Sequence, residues 1–174
     1  NELTFLSIGS LDNSVLNTGI KNPTEEQQYI LNYLPSYDQW TYAIGAVYRH
    51  YRGNSYDTWV LSRNMLSNGS KKFENNNENG PKILDYHSRE IENKFRYENT
   101  YRVDGYKIIS GAGAEYDKYL NNTFRKVFIP MGKDTVTSLQ YYSSLGFFRY
   151  NAFIQASRSS GDNRLTMSAG FRLN

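Results

Sequence analysis

The chain has 174 residues, of which 39% are hydrophobic and 16% aromatic, with a net charge of +3 and no cysteine. That length supports one domain with a sizeable core, while the missing cysteines exclude disulfide staples and thiolate metal sites. Lys and Arg are scattered rather than clustered, which gives no nucleic-acid footprint and no nucleic-acid partner.

No run approaches the roughly 20 apolar residues that a membrane helix needs. The 16 Tyr and 9 Phe carry much of the apolar surface and favour strands. The expected class is all-β, either soluble or of the outer-membrane type. A mean hydropathy of −0.70 does not oppose the second, because only alternate residues of a barrel strand meet lipid. The opening "NELTFLSIGS" lacks the charged and long apolar regions of a signal peptide. An exported protein would be seen here mature or as part of a longer chain.

Alternating segments predict strands near residues 3–11, 39–51, 55–63, 83–101, 106–128, 135–158 and 164–174. In "WTYAIGAVYRHY", Trp40, Tyr42, Ile44, Ala46 and Tyr48 form one row with rings towards its ends and aliphatic groups between them. Trp and Tyr collect where hydrocarbon meets headgroups. The opposite row, with Thr41, Gly45 and Arg49, is smaller and partly polar.

Between the first two strands, "NPTEEQQYILNYLP" predicts a short helix capped by Asn22, with Pro23 at its first position and Pro35 beyond its end. The tract 64–82, "NMLSNGSKKFENNNENGPK", reads as a polar loop. "RGNS", "RVDG" and "SSGDN" are tight-turn compositions, containing Gly53, Gly105 and Gly161, and Asp104-Gly105 is the clearest hairpin signal. The connections 12–38, 64–82 and about 129–134 are longer. Short and long connections therefore alternate, which puts tight turns at one end of the sheet and long loops at the other, as in outer-membrane barrels.

The fourth strand divides most sharply. Glu90, Glu92, Lys94, Arg96 and Glu98 make one row, and Ile91, Asn93, Phe95, Tyr97 and Asn99 the other. The later strands add Arg149, Gln155 and Arg164 to the polar row, with Phe153 as an exception on it. The lumen-facing candidates are Arg49, Glu90, Glu92, Lys94, Arg96, Glu98, Arg149, Gln155 and Arg164. The fold expected is an antiparallel up-and-down meander of about seven strands, a partial transmembrane β-barrel with a short helix in the first long loop.

The run "YNAFIQASRSSGDNRLTMSAGFRLN" resembles the barrel of TonB-dependent outer-membrane receptors of the Bacteroidetes type, in which a strand turns through a segment like "DNRLTLSLGFR". "WTYAIGAVYRHYRGNSYDTWVLSRNML" and "DYHSREIENKFRYENTYRVDGYKIISGAGAEYDKY" are similar to earlier hairpins of such a barrel. The resemblance implies that 1–174 is a segment of a 22-stranded barrel domain, with the plug and TonB box not recognisable in this chain. It implies nutrient uptake across the bacterial outer membrane. The partners implied are outer-membrane lipid, the rest of the barrel and plug, TonB in the full-length protein, and a surface lipoprotein. Two other readings stay open: a structural or assembly subunit with a receptor-like barrel, and a soluble β-sandwich that binds glycans.

Chemistry is sparse. His50 and His87 stand in different strands without carboxylates at a metal-ligand spacing, and no G-x-S-x-G elbow supports a nucleophile. "GAGAEY" lacks the strand-to-helix context of a phosphate loop and reads as small residues leaving room for something packed inside. "FENNNENG" lacks the spacing of a calcium loop. No enzyme activity, cofactor or metal is expected.

Overall fold

In the computed structural model, residues 1–129, 135–160 and 164–174 are described. They form a single seven-stranded antiparallel sheet in sequence order, β1 Glu2–Ser14, β2 Ser36–Arg52, β3 Ser55–Phe73, β4 Lys82–Val103, β5 Tyr106–Ile129, β6 Thr135–Ser159 and β7 Thr166–Leu173. The meander expected from the sequence is present, and the sheet is open, with β1 and β7 at its edges.

Two-residue turns fix the register. Gly53 (φ +33) and Asn54 join β2 to β3, so that Arg52 pairs with Ser55. Asp104 (φ +49) and Gly105 (φ +78) join β4 to β5 with both residues at positive φ, the geometry whose twist matches the flanking strands. The expected turn at Gly161 and most of the 129–134 connection lie outside the described residues.

Three expectations are corrected. Residues 64–73 are strand, not loop: β3 runs on to Phe73 and only 74–81, with a 3-10 turn at Glu74–Asn76, connects it to β4. Polar residues with weak strand preference are held there because Asn64, Leu66 and Asn68 pair with Glu92, Glu90 and Ser88 of the long β4. The helix α1, Glu25–Tyr33, is capped by Thr24 rather than Asn22. Thr24 accepts from Gln27 N while Gln27 reaches back to Thr24 N, and this reciprocal box satisfies two donors where an Asn22 cap would satisfy one. Arg164 precedes β7, which starts at Thr166, and so stands in a bend instead of a strand row.

Residues directly opposite in an antiparallel ladder point to the same side, so the registers sort the sheet into two faces. One carries Phe5, Trp40, Ile44, Tyr48, Trp59, Leu61, Phe95, Tyr97, Ala114, Tyr150, Ile154 and Phe171. The other carries the charged row of β4 with Glu115, Asp117 and Arg149. The apolar face has no second layer. Among the described residues Met65 is the only buried hydrophobic side chain, while Phe5, Leu61, Phe148 and Phe171 are all more than 60% exposed. Total accessible surface is 12972 Å², against about 8,800 Å² for a compact monomer of this mass.

Several polar groups on the apolar face are partnered, although Ser67 Oγ is buried there without a partner among the described residues. At its turn end Asp57, 1% exposed, accepts hydrogen bonds from Tyr97 Oη (2.8 Å), Asn99 Nδ2 (2.7 Å) and Arg52. Arg63 donates to Tyr42 Oη and to Asn93 Oδ1, each at 2.9 Å. On the opposite face, at the loop end, Lys72 is buried and its Nζ donates to Leu31 O and to Asn76 Oδ1, which ties α1 to the 74–81 connection. Burial holds its pKa below the ordinary lysine value.

The exception at Phe153 has a packing reason. It pairs with Gly111, and a Cβ on Gly111 would lie 2.6 Å from the Phe153 ring and 2.7 Å from Tyr97 O. The room left by "GAGAEY" is filled by the chain's own Phe153 and, over Gly113, by Asn151. Gly111→Ala is expected to lower stability by about 1–3 kcal/mol through overpacking, measured by denaturant unfolding of the full protein. Adding Phe153→Ala should restore only part of it, because the carbonyl of Tyr97 does not move away.

Candidate functional site

The charged face is built at mid-sheet from three adjacent strands. Lys94 of β4 stands opposite Glu115 of β5, which stands opposite Arg149 of β6, and Glu92 stands opposite Asp117. Lys94 Nζ lies 2.9 Å from Glu92 Oε2 and 3.2 Å from Glu115 Oε1. Arg149 Nη2 pairs with the same Glu115 oxygen and lies 2.7 Å from Asp117 Oδ2, without the alignment of a hydrogen bond. Asn64 Nδ2 donates to Glu92 at 3.2 Å.

The ladder therefore alternates in sign across strands as well as along them. Oxygens of Glu92, Glu115 and Asp117 come within 4.8 Å of one another, a spacing that can hold a cation. Here the amino group of Lys94 and the guanidinium of Arg149 already occupy that role, so the cluster is an ion-pair network. Its members are half-exposed for the most part, with Arg149 and Lys94 side chains 57% and 41% exposed. Solvent screening makes each pair weak, and the network orients side chains more than it stabilises.

The remaining candidates are dispersed on the same face. Arg96 pairs with Glu98 at 3.4 Å. Arg49 meets Glu2 of β1 at 3.4 Å near the turn end. Glu90 stands opposite Tyr119, and Gln155 between Ile109 and Gly170. Glu115 and Asp117 lie outside the candidates named from the sequence; the signal that marks them is the alternation Gly111, Gly113, Glu115, Asp117, which continues the polar row.

Nearer the loop end the same face forms an open recess of about 560 Å³ whose lining includes Tyr37, Gln39, Asn68, Tyr86, Arg125 and Tyr141. Three phenol rings, two amides and the guanidinium of Arg125 can stack on and hydrogen-bond a ring-bearing solute. His50 and His87 sit instead on the apolar face, where His50 Nδ1 is 2.7 Å from Asn1 Oδ1 and His87 Nε2 is 3.2 Å from Arg89 Nε. They are on different strands and share no ligand set.

Removing Arg149 by Arg149→Leu leaves Asp117, 8% exposed, beside Glu115 with no cation in contact. The expected outcome is a lower unfolding temperature, and Arg149→Leu with Asp117→Asn should recover more than half of the loss. A double-mutant cycle followed by thermal unfolding checks this, and additive effects would show that the pair is not coupled. No known family model matches the chain, and no curated protein matches it.

Proposed function

We propose that the chain is a section of the wall of an outer-membrane β-barrel, with its apolar face towards lipid and its charged face towards a wet lumen, in a TonB-dependent receptor that takes up a nutrient. The observation that carries the membrane reading is the inverted distribution of side chains. Most of the buried polar side chains, among them Thr58, Ser70, Ser88, Thr100, Asp117 and Asn121, lie on the charged face, while Phe5, Trp59, Leu61, Phe95, Phe148 and Phe171 stand uncovered on the other; Leu6, Ile8, Leu145 and Phe147 are uncovered on the charged face as well. In water such a single layer would leave its apolar face wet at great cost; in a bilayer that face is in its solvent.

Three further features agree. Open edges on β1 and β7 leave unpaired N–H and C=O groups that hydrocarbon does not tolerate, so the wall continues through other strands. A strand of about 9–11 tilted residues crosses the hydrocarbon, and β5 and β6 have 24 and 25. Their loop-end halves accordingly stand clear of it and enclose the recess at Tyr86 and Tyr141. A β-sandwich would need a second sheet over the apolar face, and the described residues form one sheet only.

Active transport by way of TonB rests on the resemblance of the strand patterns. It is tested in cells bearing the full-length gene. Loss of the protein should abolish an uptake that also requires TonB and the proton gradient, followed as solute depletion from the medium. Uptake that survives, with the barrel missing from the membrane, would favour a structural subunit instead.

The face assignment is tested by two neighbouring substitutions in the full-length protein. Phe95→Arg puts a cation on the lipid side at a cost of about 2–4 kcal/mol near mid-membrane and should abolish heat-modifiable mobility in outer-membrane preparations. Arg96→Phe changes the lumen side and should leave the barrel in place; equal assembly of both would refute the assignment. Epitope tags at Asn79 should be accessible on intact cells, whereas tags at Asn54 or Asp104 should become accessible only after permeabilisation.

A further inference from the structure

We propose that the loop-end part of the apolar face binds a phosphorylated lipid, its phosphates held by Arg89, Lys118 and Arg63 and its acyl chains lying over the hollow beside Leu61. This rests on the lipid-facing reading of that face and adds a specific lipid to it.

The first observation is that, among the described residues, three cations of the apolar face stand without a carboxylate partner. On the charged face Lys94, Arg96 and Arg149 each have a carboxylate within ion-pair distance. On the apolar face Arg63, Arg89 and Lys118 have none among the described residues. Arg63 bonds to two neutral groups, Tyr42 and Asn93, and Arg89 to His87. Lys118 makes no hydrogen bond or ion pair among the described residues. Carboxylates on this face stand at its ends: Asp57 is engaged by Arg52 at the turn end and Asp85 by Lys82 at the loop end, and Asp38 packs over Gly69.

The second observation is their grouping. Arg63 pairs with Asn93, Lys118 with Ile91, and Arg89 with Ser67 and Leu120, so all three fall on adjacent strands within a five-residue length of β4. Strand spacing and rise put Arg89 and Lys118 about 8 Å apart at Cα, and Arg63 about 12–14 Å from either. Side chains of this length can close on one headgroup carrying two phosphates. Lys118 directly follows the apolar stretch Ile108, Ser110, Ala112, Ala114, Tyr116 on its row, at the level where hydrocarbon gives way to headgroups.

The third observation is the hollow itself, about 580 Å³, with Phe5, Ile44, Ala46 and Leu61 in its lining and Arg63 and Asn93 at its polar end. An apolar floor that ends at an unpaired cation has the polarity of an amphiphile. A free anion would use the cations and ignore the floor, and a neutral lipid would do the reverse.

The test uses the full-length protein in neutral detergent, with bound lipid read by native mass spectrometry. The probes are lipid A with two phosphates, the same lipid dephosphorylated, and inorganic pyrophosphate as competitor. The two-phosphate lipid should be retained about tenfold or more over the dephosphorylated one, and millimolar pyrophosphate should not displace it. Arg89→Gln with Lys118→Gln should lower that retention by a similar factor while heat-modifiable mobility stays unchanged. Equal retention of both lipids, retention insensitive to the double substitution, or displacement by pyrophosphate would each overturn the proposal. If the substituted protein does not assemble, the lipid comparison on the unsubstituted protein decides alone. A protein that fractionates with membranes yet shows no phosphate preference removes this inference and leaves the barrel reading standing; one that does not fractionate with membranes removes both.

Discussion

The register of the antiparallel ladder is the constraint on which everything else in the sheet depends. Side chains alternate with period two, so a slip of one residue anywhere would carry a whole strand's charges to the apolar side. The two-residue turns at Gly53-Asn54 and Asp104-Gly105 hold that register by geometry, since each closes its hairpin at one pairing, Arg52 with Ser55 and Val103 with Tyr106. From those anchors β2 to β5 zip without irregularity until Lys72/Phe73.

Once the register is set, the faces follow, and with them the solvent each face demands. Lys94, Glu115 and Arg149 come into line because they are cross-strand partners, not because any is near another in sequence. Two polar residues on the apolar side are held by neighbours on adjacent strands, Asp57 by Tyr97 and Asn99, and Arg63 by Tyr42 and Asn93. Such pairing lowers the cost of keeping polar atoms away from bulk water. It also leaves Arg63, Arg89 and Lys118 without a carboxylate in ion-pair distance among the described residues, Arg63 and Arg89 bonding to neutral groups only.

Much of this was legible in advance. The alternation in 40–48 and 88–101 gave strand, face and polarity together, and Asp104-Gly105 gave its turn. Residues 64–73 were not legible, because Asn, Ser, Gly and Lys have weak strand preference and these are strand only through pairing with β4. Phe153 fits on the polar row because Gly111 opposite it leaves room for the ring, a cross-strand fact that the sequence of β6 does not hold. The cap at Thr24 was hidden by an equally plausible Asn22 two residues earlier.

By itself, then, the sequence determined the all-β class, the alternation of tight turns with longer connections and the division of most strands into an apolar and a polar row, because these are local properties of period and turn chemistry. Only the tertiary structure decided which residues meet across strands: the partners of Glu115 and Asp117, the cover over Gly111, the burial of Lys72 beneath α1, and the grouping of Arg63, Arg89 and Lys118. Those groupings join residues 21 to 55 positions apart, and periodicity within a strand holds no information about the offset between strands.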